Sequence, residues 1–246
     1  MAVQSGDVVL LTSDAPYLGG HATWLPLRKA APEVRFVEID TLDAPKSQSL
    51  IDAVRLLVRG ALPGAAAVIA HGNSASLAIE EVAALDAPIP VLLLSPRMFT
   101  KRLLLLRMLR SFFGGIGKPL LIAIARSKRR RLLHDEPYLR KQFTLLARGD
   151  AVTDDLIREA RERIADPRME WIVERTAEVA NYALTPVDPH VYDTGPNRSI
   201  LLGMDPYGRK VRTRCQATVL EDAWSALMLE KPDAVASHLR TLLART

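Results

Sequence analysis

VIAHGNSASLAIEEVA, residues 68–83, decides the reading of this chain. Val68 to Ala70 close a short apolar run of β type, AAAVIA (65–70). His71-Gly72-Asn73-Ser74 breaks that run, and helical spacing resumes over residues 75–85. A serine in so tight a strand-to-helix turn is held in strained geometry with its hydroxyl above the sheet edge, and the next backbone N–H, that of Ala75, points at the same spot. The turn needs small residues two before and two after the serine. Gly72 and Ser76 stand there. The spacing therefore expects Ser74 to line a functional site, with Asn73 and Ala75 beside it; its other reading is a cap for the helix that follows.

Working outward, apolar runs recur at 8–11 and 89–94, further β-type segments at 34–39 (VRFVEI), 199–202 and 216–220, and helical spacing at 47–60. Such strands, separated by helices, are what a parallel sheet covered on both faces requires. Residues 97–190 switch to helical periodicity alone, with helices expected at 153–166, opened by a Thr153 cap, and at 168–184. A final helix is expected over 234–243, after Pro232. The order reads βαβαβ, a helical insert, then ββα. The expected domains are a core of 1–96 and 191–246 and a helical lid of 97–190.

The chain has 246 residues, 48% of them apolar and 25% charged, enough for a real core and against a disordered or fibrous chain. Its one cysteine, Cys215, cannot form an internal bridge, which fits a reducing compartment. With no apolar leader and no run of about 18 uncharged apolar residues, a cytoplasmic location is expected. The net charge of +5 is uneven: Arg97 to Arg131 holds eleven Lys/Arg and no Asp or Glu, which leaves 5 − 11 = −6 for everything else. These basic residues interleave with leucines and phenylalanines rather than with stacking platforms, so no nucleic acid is expected. An acidic carrier protein, an anionic membrane surface or a solvated helix face fits them instead.

At this point the chain resembles the α/β-hydrolase superfamily of the lidded type. The residues that carry the resemblance are VVLLTSDAPYLGGHATWLPL (8–27), like the first strand and oxyanion loop; HGNSAS (71–76), like the nucleophile elbow; ILLGMDP (200–206), like the strand ending in the triad acid; and WSALMLEKPDAVASHLRTLL (224–243), like the C-terminal motif. The resemblance implies an α/β fold with a mostly parallel, doubly wound sheet and a helical lid inserted after the strand that follows the elbow. It implies Ser74 and Asp205 as catalytic residues, with Ser13, Asp14, Asn73, Ala75, Trp224 and Ser225 around the substrate or oxyanion. Counting back from Glu230-Lys231-Pro232 puts the triad histidine's place at Ser225, and the His-Gly of the oxyanion loop is Thr12-Ser13 here. His21, in the loop over the oxyanion region, is the substitute base to consider, ahead of His71 and His190.

A serine hydroxyl is a poor nucleophile until a base takes its proton, and a positioned base is worth about 10² to 10⁴-fold. Loss of the histidine thus turns the expectation toward elimination, cyclisation or decarboxylation of an apolar carbonyl, ester or thioester substrate. The alternatives are a serine hydrolase or thioesterase with a relocated base, and a ligand-binding protein that kept the fold. No nucleotide motif and no ligand spacing for zinc occurs, so neither an organic cofactor nor a metal is expected.

Overall fold

The computed structural model describes residues 4, 6–11, 18–46, 49–85, 89–96, 111–112, 115–183, 185, 197–203 and 217–245. Among the described residues six strands form one sheet in the order β2-β1-β3-β4-β5-β6, with β1 Asp7–Leu11, β2 Phe36–Ile39, β3 Ala65–His71, β4 Val91–Leu94, β5 Arg198–Gly203 and β6 Thr218–Leu220. All five pairings are parallel. β1, β4 and most of β3 are buried, which is why their sequences are apolar runs rather than alternating ones.

Ten helices were found among the described residues: α1 His21–Ala30, α2 Leu50–Ala61, α3 Asn73–Ala83, α4 Lys118–His134, α5 Glu136–Thr144, α6 Asp154–Ala165, α7 Arg168–Glu174, α8 Thr176–Ala183, α9 Leu227–Glu230 and α10 Pro232–Leu243. Alternate residues of each strand feed the two faces. Val8, Leu10, Ile69 and Leu92 pack with Trp24 and Leu27 of α1, Leu239 of α10, and Leu156, Ile157 and Ile164 of α6. Val9, Leu11, Val68 and Leu93 pack with Val54 and Val58 of α2 and Ile79 of α3. The Thr153 hydroxyl accepts from the Leu156 N–H at 3.3 Å, the cap its sequence announces.

Three sequence expectations change. Residues 21–30 form a helix where the sequence reads as a loop. The single helix expected over 168–184 is two, broken at Arg175 (φ −105°, ψ 13°). The last helix starts at Pro232 rather than 234, since proline is at home in a first turn.

The sheet order places the topological switch between β1 and β3: from β1 the sheet grows to β2 on one side, and from β3 it grows to β4, β5 and β6 on the other. In open parallel sheets ligands bind outside the carboxyl ends of the strands at that point. The turn at residues 71–74 sits there.

Candidate functional site

The strained position of the turn belongs to Gly72, not to Ser74. Gly72 has φ 65° and ψ −129° and directly follows β3, whereas Asn73 already opens α3. This backbone region is costly for any residue with a Cβ, of order 1–3 kcal/mol. Glycine occupies it freely, and the position from which this kind of turn lifts a nucleophile therefore carries no side chain. Ser74 is instead the second residue of α3, 5% exposed. Its side chain lines a cavity of about 10 Å³ with Leu11, Ile39, Thr41 and Leu77, room for about one water. The Ala75 N–H is turned back onto the Gly72 carbonyl at 3.3 Å rather than outward. Asn73, the residue after the strained one, opens α3.

His71, the last residue of β3, is buried, and its Nε2 lies 2.9 Å from the backbone carbonyl of Ser225. One residue from the elbow, the loop that the resemblance assigns to the triad histidine thus meets β3, and it does so through its backbone. The Trp224 N–H donates to Glu230 at 2.9 Å and the Ala226 N–H to the Leu146 carbonyl at 2.8 Å, which fixes residues 224–226 in place. The structure therefore brings Ser225, His71 and the elbow together. Ser74 faces α2 instead.

Ser95 is the residue that the sequence reading missed. It follows β4 at φ 45°, the one positive-φ residue other than glycine among the described residues. Its hydroxyl is buried and has no hydrogen-bond partner among the described residues. Its N–H donates to Leu201 at 2.8 Å, while Leu94, just before it, accepts from Gly72 at 3.1 Å. That places Ser95 at the carboxyl end of β4, beside the elbow. A left-handed serine is the sort of backbone strain that collects at binding sites; the one sequence signal was a serine directly after an apolar strand and before Pro96.

His21 is the exposed first residue of α1. Its neighbours' amides are taken by carboxylates: the Gly20 N–H donates to Glu38 at 2.6 Å and the Ala22 N–H to Glu159 of α6. Burial pushes the Glu38 carboxyl above its ordinary value, with the Gly20 N–H pulling back and the charge of Asp40 adding to the rise. Asp40 goes the other way: burial alone would raise it, but hydrogen bonds and charge from Arg163 outweigh that and hold it low. A group whose folded value is raised is destabilising when ionised, and that cost fades as pH falls through the folded value. Glu38→Gln is accordingly expected to melt above the unsubstituted chain at pH 7, with the gap closing as pH nears the usual glutamate range. Thermal melts across that range check it, and a lower melting point at pH 7 contradicts it.

Ser13, Asp14, Asp205 and His190 lie outside the described residues. Among the described residues no group of three or more His, Cys, Asp or Glu could hold a metal ion, and no helix is long and apolar enough to cross a membrane.

No protein-family model matches the sequence, and no curated protein does. Solved structures match it over its length. A serine hydrolase involved in carbazole degradation, the CarC enzyme, superposes with a TM-score of 0.63 at 12% identity, over 100% of this chain and 93% of the other. The epoxide hydrolase CorEH gives 0.60 at 17%, over 99% and 93%. ALR0039 from Nostoc sp PCC 7120, assigned to the α/β hydrolases, gives 0.64 at 16%, again over 99% and 93%. The likeness is one of architecture.

Proposed function

From an α/β-hydrolase fold whose elbow bears a glycine, we propose an enzyme of small-molecule metabolism that works without a serine nucleophile. It binds a mostly apolar carbonyl, ester or thioester compound at the carboxyl ends of the strands, between the core and the helical segment. Elimination, cyclisation or decarboxylation is the chemistry this favours, driven by positioning and carbonyl polarisation. The observation that carries the reading is the conformation of Gly72. A covalent acyl step needs an oxygen or sulfur at that position, and a backbone hydrogen does not serve. The polar group left to a ligand among the described residues is the Ser95 hydroxyl. In this reading Asp205, the acid that the resemblance assigns, joins it.

A second reading is a ligand-binding protein that kept the fold. The sealed position of Ser74, 5% exposed on a cavity of about 10 Å³, favours it. The serine hydrolase with a relocated base loses ground on the same observation, because the missing base is no longer the only missing part.

A fluorophosphonate probe tests the proposal. No serine is expected to be labelled, and Ser74→Ala is expected to leave turnover of any carbonyl substrate found by screening unchanged, while Ser95→Ala weakens it. Stoichiometric labelling of Ser74 would return the chain to the serine hydrolases. Tight binding without turnover across carbonyl, ester and thioester panels would favour the second reading.

A further inference from the structure

Independently of that chemistry, we propose that the exposed face of α4, with the residues leading into it, docks on an anionic lipid bilayer. Eight large apolar side chains are exposed among the described residues, and four of them are Phe112, Ile116, Leu120 and Ile124. They recur every four positions, Ile116 being 92% exposed. Over Lys118–His134 the helical repeat puts Leu120, Ala123, Ile124, Ser127, Arg130 and Arg131 on the solvent side, with Leu132 buried opposite. The apolar side chains gather at the N-terminal end of this face and the basic ones, Arg130 and Arg131, at its C-terminal end.

Charge points to the occupant. Arg126 is paired with Glu170 and Glu174, and Arg131 with Asp135. Lys118 and Arg130 have no ion pair among the described residues, yet they flank one open groove of about 510 Å³ with Pro119, Ala123 and Arg126. A layer of phosphate headgroups suits such a groove: separate phosphates can meet Lys118 and Arg130, about 18 Å apart along the helix, while bulky apolar side chains beside them enter the acyl boundary. An acidic protein would answer the charges but leave Ile116 and Leu120 in need of a fitted apolar pocket; a bilayer needs no such fit. The sequence immediately upstream, RMFTKRLLLLRMLR (97–110), has the same makeup, five Lys/Arg among leucines and no acid. No described helix can span a membrane, so the contact is interfacial.

Co-sedimentation of the full chain with vesicles decides the matter. Binding is expected to phosphatidylcholine vesicles containing phosphatidylglycerol, and not to phosphatidylcholine alone. It should fall steeply between about 0.1 M and 1 M salt, as the screening length drops from about 10 Å to about 3 Å. Lys118→Ala with Arg130→Ala should weaken it about 25-fold, from about fivefold per basic side chain. Ile116→Asp with Leu120→Asp should abolish it at an unchanged melting temperature, both side chains being exposed. Four results overturn the proposal: no binding to the anionic vesicles, equal binding to both vesicle types, binding that survives the aspartate pair, or binding to soluble polyglutamate but not to vesicles. A dimer on gel filtration that the aspartate pair dissolves, with no vesicle binding, would give the face to a second copy of the chain and overturn it too.

Discussion

Gly203→Ala is expected to cost the chain more than any other single methyl group added to it. Gly203 ends β5 and pairs with Leu220 of β6. A Cβ there would overlap the backbone carbonyl of Trp224 and press on that of Ala223 at 3.0 Å. Both obstacles are main chain, so no side chain can swing aside. The loop that would have to yield is held by the Trp224–Glu230 and Ala226–Leu146 hydrogen bonds and supports His71. Overpacking costs about 1–3 kcal/mol even where side chains can adjust, and here the upper end or beyond applies. At about 2–4 °C per kcal/mol for a chain of this size, a fall of roughly 10 °C is expected. Gly60→Ala is the control: nothing lies within 4 Å of a Cβ at Gly60, in the last turn of α2, and alanine should stabilise it by up to about 1 kcal/mol. Thermal melts of both variants check the pair; equal melting points would contradict the close approach.

Arg163→Ala is expected to be nearly as damaging, by a different route. Arg163 of α6 grips Asp40 after β2 through both carboxylate oxygens, one hydrogen bond measuring 2.8 Å. The two side chains are only 10% and 22% exposed. Removing the guanidinium leaves Asp40 charged and largely buried beside Glu38, and breaking such a pair costs about 3–5 kcal/mol when burial is complete. About 3 kcal/mol, or roughly 6–12 °C, is the expected loss here. The pH dependence carries the second signature. Asp40 is held below its ordinary value, so the stability it contributes is present above the unfolded value of about 3.9 and is lost as pH falls through the lower folded value. The variant's melting curve should thus be flatter on the acid side. Asp40→Asn in the Arg163→Ala background should recover part of the loss, because no buried charge then remains unpaired. A double variant no better than the single one would deny the coupling.

What the sequence disclosed and what it hid follow from where each piece of information resides. The sheet was legible because its strands carry their burial in their own residues: AAAVIA and the run over 89–94 are apolar without alternation whichever neighbours they have. Thr153 advertised its helix for the same local reason. α1 was not legible. It has Pro26 inside it, no capping side chain of its own and two glycines before it. Its first amides are satisfied by Glu38 and Glu159, 18 and 137 residues away in the chain. The strand-to-helix turn was legible, but its strained position lies at Gly72, two residues before the serine on which the sequence pattern centres. A pattern of small residues around Ser74 matched the motif, but the positive φ falls on the residue directly after the strand, and a glycine at that place is the local clue that the strain is there. Ser95 gave almost no clue, since its conformation is imposed by β3 and β5 on either side of β4.

The main hydrophobic cluster runs without interruption from Val8 and Trp24 through Leu139, Phe143, Leu156 and Ile164. The helices of the insert are therefore masonry in the same wall as the strands, not shutters hung on it. An engineer who exchanged these helices for those of another protein with this fold would strip a side of the building: the Ala22 amide would lose its acceptor, Asp40 its guanidinium, and the indole of Trp24 its neighbours. Modular transplantation, feasible where a cap merely rests on its base, is closed to this chain unless α1 is redesigned along with the graft.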